Sequence, residues 1–196
     1  MKNNRIVQLP GSNEHKPELS DRKILLRLAR NSILSLFSID LEEEHIELND
    51  WLSAKLGAFV SIHSKKGELR GCLGRIISEI PLHHLIRDLA ISAASRDYRF
   101  SPVKKSEMDD IVIEISVLSP LKRIYSLSEI ERGKHGIYIK SGNRSGTFLP
   151  QVILETGWDI ETFVSKCSSD KAGIGPDGWK DAELYVYFAE VFSETI

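Results

Sequence analysis

The sequence predicts an α+β fold: a mainly antiparallel sheet with flanking helices. Three observations carry this. Two amphipathic stretches place apolar residues at helical spacing, and "DIVIEISVL" alternates with a period of two. Two pairs of strand-like runs are joined by short glycine-containing turns, which favours hairpins over β-α-β crossovers. With 196 residues, of which 41% are hydrophobic, the chain suits one domain, or two lobes sharing a core.

Residues 1–19 are polar, carry two prolines and read as a tail; residues 20–196 read as the folded part. Behind Ser20 or Asp21 as cap, Leu25, Leu28, Ala29, Ile33, Leu36 and Phe37 share one helical face. The acidic run at 42–44 reads as an exposed connector. A strand at 58–63 follows Gly57, and a second spans 69–76 after a Lys-Lys-Gly turn. Pro81 opens a helix whose apolar face is Leu82, Leu85, Ile86, Leu89 and Ala90, fading near Ser95. A charged loop leads to the alternating strand over 111–118. "GIYIK" and "GTFLP" flank a turn at 141–145 as a second hairpin, and Pro150 starts a short helix. Asp159 caps a helix with Ile160, Phe163 and Val164 inward, ending near Gly173, and "LYVYFAEVF" closes the chain as a strand.

Charge narrows the function classes. The 26 basic and 28 acidic residues give a net charge of −2, so no global field recruits nucleic acid or an acidic membrane. The clusters Lys65-Lys66, Lys104-Lys105 and Lys122-Arg123 read as solvated faces, and nucleic-acid binding has no support from net charge. Cys72 and Cys167 form no C-x-x-C and no Cys/His pair spacing. That argues against a zinc site or a disulfide framework and fits a reducing compartment. No metal and no cofactor is expected. No apolar run is long enough for a signal peptide or a membrane span, so a cytoplasmic protein with no membrane association is expected.

The chemistry candidates gather in "HSKKGELRGCLGRI". A thiolate is a competent nucleophile when nearby cations or a histidine activate it. Cys72 is the candidate, with Arg70 and Arg75 as cations and His63 as base; a small buried packing residue is the alternative. A turn centred on Lys66-Gly67 sets His63 opposite Arg70 and Cys72 diagonally on the same face, whereas a one-residue slip moves His63 to the other face. Gly71 and Gly74 fit a bulge exposing backbone N–H groups, which with Arg70 would hold a carboxylate or phosphate; a structural kink explains them equally well. Thr147 and Gln151, around Pro150, either bind an anion at a helix start or cap it. Asp97 and Arg99 either pair locally or, through Arg99, reach a ligand. His83 and His84 are adjacent, a spacing unsuited to one metal. Cys167 lies beside an apolar helical stripe and reads as packing.

Taken together, "GAFVSIH" with "GELRGCLG", "SRDYRF" before "SPV", "IEISVLSP", "GKHGIYI", "GTFLPQV" and "KAGI" before Trp179 resemble the AMMECR-one domain family, whose prokaryotic members are called AmmeMemoRadiSam system protein A. The resemblance spans roughly residues 20–192, with Leu73 where isoleucine is common and Tyr98 where proline is common. It implies a larger and a smaller lobe around a cleft lined by the R-G-C-x-G segment. It also implies Memo-like and radical S-adenosylmethionine proteins as partners. It supplies no reaction. The expected function is therefore a cleft, residues 70–74 with help from 147–151, that binds a small anionic or nucleobase-like ligand. Whether Cys72 acts on it covalently stays open, and a non-catalytic adaptor or an RNA-binding module is the alternative.

Overall fold

A computed structural model describes residues 17–39 and 46–195. Most of the expected tail and the acidic run at 42–44 lie outside the described residues. The chain divides into two compact units: Ser119–Ala189 forms one, and the described residues on either side form the other.

The flanking unit holds helices α1 (Leu19–Ser35), α2 (Asp50–Ser53) and α3 (Leu82–Ser95), with strands β1 (Ala58–Ser64), β2 (Leu69–Arg75) and β3 (Ile111–Leu118). Helix α1 starts earlier than the expected cap. Glu18 occupies that position, and its backbone N–H donates to the Asp21 carboxylate at 2.8 Å. The predicted stripe is inward through Leu25, Leu28, Ala29 and Ile33, while Leu36, past the last turn, is exposed. Helix α3 follows Pro81 and buries Leu82, Leu85, Ile86, Leu89 and Ala90. It packs on β1 and β2, and α1 packs on α3 and β3. The core lies between, with Ala58, Val60 and Ile62 meeting Ile113, Ile115 and Val117. Alternation in β3 thus sets its inward face, as period two requires.

The inserted unit holds β4 (Lys122–Ile124), β5 (Gly136–Ser141), β6 (Arg144–Phe148), α4 (Val152–Thr156), α5 (Ile160–Lys166) and β7 (Glu183–Tyr187). Its sheet runs β4-β7-β5-β6 with antiparallel pairings throughout. The Asp159 carboxylate accepts the Thr162 N–H at 2.7 Å and caps α5, which buries Phe163 and Val164 and passes into a π turn, Cys167–Lys171. The α+β class is therefore observed.

One expectation is corrected. "LYVYFAEVF" is two strands in two sheets: after β7, strand β8 (Ala189–Ser193) completes the flanking unit's sheet in the order β2-β1-β3-β8. The break falls at Phe188, whose N–H donates to Ser119 Oγ while its carbonyl accepts the Ser119 N–H, both at 2.9 Å. The run is apolar on both sides of Phe188, with no glycine or proline at the break, and the inward face changes there: Val186 and Tyr187 are both buried, and Glu190 falls where an alternation through Leu184 and Val186 would place an apolar residue. Strand β8 is held by α1: Arg22 pairs with Glu190 at 2.6 Å and Arg30 with Glu194 at 2.5 Å. Among the described residues no helix is long and apolar enough to cross a membrane.

Candidate functional site

The β1–β2 register decides what surrounds Cys72. Ser61 stands opposite Cys72, Ile62 opposite Gly71 and His63 opposite Leu69, which leaves Arg70 without a partner across the ladder. The expected pairing of His63 with Arg70 is thus replaced by a one-residue slip. A bulge of this kind inserts one residue and redirects its side chain. Because the slip lies beyond Cys72, that residue stays on the face of β1 that carries Ser61 and His63. The same face continues onto β3, where Glu114 stands opposite Ser61 and Val112 opposite His63. Cys72, Ser61 and Glu114 therefore form one row across three strands, on the face away from Val60 and Ile62.

The group in contact with the sulfur is Ser61, whose hydroxyl donates to Cys72 Sγ at 3.2 Å. His63 stands one pair along the same face, beyond the bulge.

The outer edge of β2 is held by the loop after α3. The Cys72 N–H donates to Asp97 Oδ2 at 2.8 Å, and Arg99 Nη2 donates to the Cys72 carbonyl at 2.9 Å. Asp97 and Arg99 thus replace the neighbouring strand that this edge lacks. They also bind each other, Nε to Oδ1 at 2.9 Å and Nη2 to Oδ2 at 2.7 Å. The Arg99 guanidinium, helped by the Cys72 and Arg99 backbone N–H groups and opposed by burial, lowers the Asp97 carboxyl to about 2. The local pair is observed, and Arg99 is at the same time adjacent to Cys72.

Arg70 projects off the edge onto Glu107, Nε to Oε1 at 2.8 Å, with Nη2 at 3.4 Å from the Ser101 carbonyl. That hydrogen bond raises the arginine and lowers the carboxyl.

The space beside the two glycines is filled by the chain itself. A Cβ on Gly71 would overlap the Ala93 carbonyl oxygen of α3, and one on Gly74 would overlap the Phe59 ring across the hairpin. Gly71 therefore lets helix backbone lie on the strand, and Gly74 lets an aromatic ring cover it.

Thr147 and Gln151 belong to the inserted unit. Thr147 Oγ1 donates to the Ile137 carbonyl at 2.7 Å and meets the buried Tyr187 hydroxyl at 2.7 Å, so its polar atom is engaged within that unit's sheet. Gln151, half-buried, precedes α4. Cys167 is fully buried, and burial pushes its thiol up to about 12. Among the described residues no cluster of three or more His, Cys, Asp or Glu side chains is arranged to hold a metal.

Sequence reasoning missed Ser61 and Glu114, and placed Asp97 without seeing its bond to Cys72. The first two were legible only through register: they face the sulfur's row because of how three strands align, not because of spacing. Chemically, the assembly offers a half-buried thiol with a hydroxyl donor, on a strand whose edge is immobilised by a carboxylate and a guanidinium.

Comparison with known proteins finds the AMMECR1 family model matching residues 26–192. Protein MK0488 of Methanopyrus kandleri is 40% identical over 189 residues, covering 91% of this chain and 91% of that protein. Protein NEQ441 of Nanoarchaeum equitans is 39% identical over 156 residues, 76% of this chain and 86% of its own. The crystal structure of protein PH0010 from Pyrococcus horikoshii superposes with a TM-score of 0.78 at 37% identity, covering 87% of this chain and 89% of that one.

Proposed function

The chain belongs to the AMMECR1 family, and on that footing we propose that its working site is the Cys72 segment of β2, which binds a small ligand and attacks it through the thiol. One observation carries the reading: the Ser61 hydroxyl is aimed at Cys72 Sγ at 3.2 Å. A sulfur nucleophile needs a donor while it carries charge, and a neighbouring strand supplies one here without moving. Asp97 and Arg99 hold the backbone on either side of the sulfur, which fixes its position against an incoming molecule. His63 stands one row along the same face, beyond the bulge. It serves as proton acceptor or donor for the thiol or for a bound ligand spanning the two rows. The family resemblance supports Memo-like and radical S-adenosylmethionine proteins as the partners to test for.

The test is alkylation of the native protein by iodoacetamide, with each cysteine located by mass spectrometry. Cys72 is expected to react in the folded state and more slowly in Ser61→Ala. Cys167, with its thiol pushed up to about 12, is expected to react only after unfolding. A Cys72 that reacts only on unfolding would sink the nucleophile reading and leave the segment as a binding wall or adaptor surface.

A further inference from the structure

Resting on the reading of Cys72 as a reactive thiol, we propose that Arg99 is the specificity-determining group of this site and that the substrate is a small carboxylate carrying an electrophilic carbon. The argument is an inventory of donors. Arginine has five N–H groups in a planar fork. In Arg99, Nε donates to Asp97, and Nη2 donates to both Asp97 and the Cys72 carbonyl. The two N–H groups of Nη1 have no protein partner among the described residues. The fork cannot swing to find one, because these bonds fix it and the Phe100 ring centroid lies 5.4 Å from the guanidinium carbon.

Nη1 is the nitrogen left without a protein hydrogen bond, among the described residues, to compete with an incoming molecule, and the side chain is 44% exposed. It is anchored on the carbonyl of the residue that bears the thiol. The two N–H bonds of this trigonal nitrogen diverge, so one of them donates to a carboxylate oxygen as a charge-assisted hydrogen bond, and the guanidinium stands close enough to the Cys72 side chain to interact with it electrostatically. The acidic groups nearby are accounted for. Asp97 binds the used edges, Glu107 is held by Arg70, and Glu114 stands on the far side of Ser61 from Cys72. Since Asp97 offsets much of the charge, discrimination comes from directed donors more than from net field. In the reaction the Cys72 thiolate forms an S–C bond, the C–X bond breaks, X leaves with its electron pair, and the carboxylate is unchanged.

Iodoacetate and iodoacetamide isolate the effect, because both alkylate sulfur with loss of iodide and differ in the carboxylate. Their rate ratio at Cys72 is compared with that at a small neutral thiol. An Nη1–carboxylate contact of about 1 kcal/mol at this half-exposed position gives a ratio about fivefold above the reference. Arg99→Gln should bring it to the reference value, and Arg99→Lys, which keeps the charge, should restore part of it. A wild-type ratio at or below the reference overturns the proposal, as does an elevated ratio that survives Arg99→Gln. If Arg99→Gln fails to fold, salt decides: the excess must shrink in about 1 M KCl, where the screening length is about 3 Å, and an unchanged excess overturns the proposal. Failure of both reagents to modify native Cys72 overturns the underlying thiol reading instead, so the two failures are distinguishable.

Discussion

Replacing Asp97 by asparagine tests whether this carboxylate holds the β2 edge. The side chain is 2% exposed and accepts four hydrogen bonds: the Cys72 N–H at 2.8 Å, the Arg99 N–H at 3.2 Å, and Arg99 Nε and Nη2 at 2.9 and 2.7 Å. Asparagine keeps the shape and one accepting oxygen, but turns an NH2 group towards the guanidinium. A carboxyl brought from about 3.9 to about 2 is worth about 2.5 kcal/mol at neutral pH. Arg99 is 44% exposed, so solvent screening reduces this to about 1–2 kcal/mol. For a chain of this length that lowers Tm by about 2–8 °C.

The pH dependence has a fixed sign. The folded carboxyl lies below its unfolded value, so its contribution is complete above pH ~4 and is lost as pH falls through about 2. The assay is urea unfolding in a Trp158→Phe, Trp179→Phe background, in which Trp51 of the flanking unit reports. Wild type should exceed Asp97→Asn by about 1–2 kcal/mol at pH 7, and the two should converge towards pH 2. Equal stability at pH 7, or a gap that stays constant down to pH 2, would refute the reasoning.

The glycines predict an order. Gly71→Ala must displace helix backbone at Ala93 and should cost more than about 3 kcal/mol, whereas Gly74→Ala displaces only the Phe59 ring and should cost about 1–2 kcal/mol. Melting temperatures in the reverse order would show that α3 does not rest on Gly71. Thr147→Val removes the bonds to the Ile137 carbonyl and the Tyr187 hydroxyl and should cost about 1–2 kcal/mol, with no change in Cys72 alkylation. A changed alkylation rate with unchanged stability would instead make Thr147 part of the site.

What the sequence determined by itself is local periodicity. Leu25 to Ile33, Leu82 to Ala90 and Ile111 to Val117 each bury the face their spacing dictates, because an apolar stripe has one energetically favourable side. The candidate thiol was also legible, since Cys72 sits between glycines beside Arg70 in a hairpin. The tertiary structure decided its company. The slip at Arg70 replaced an arginine by Leu69 opposite His63 and turned Arg70 to Glu107, while leaving Cys72 facing Ser61. Register, not residue type, selects such neighbours, and the side chains of a single strand do not encode it. The glycine pair showed the same limit: a bare backbone announces a close approach, but only packing names Ala93 and Phe59 as what approaches. At Phe188 one continuous apolar run serves two sheets, because residue type sets which side of a strand is apolar and is silent about which strand lies beside it.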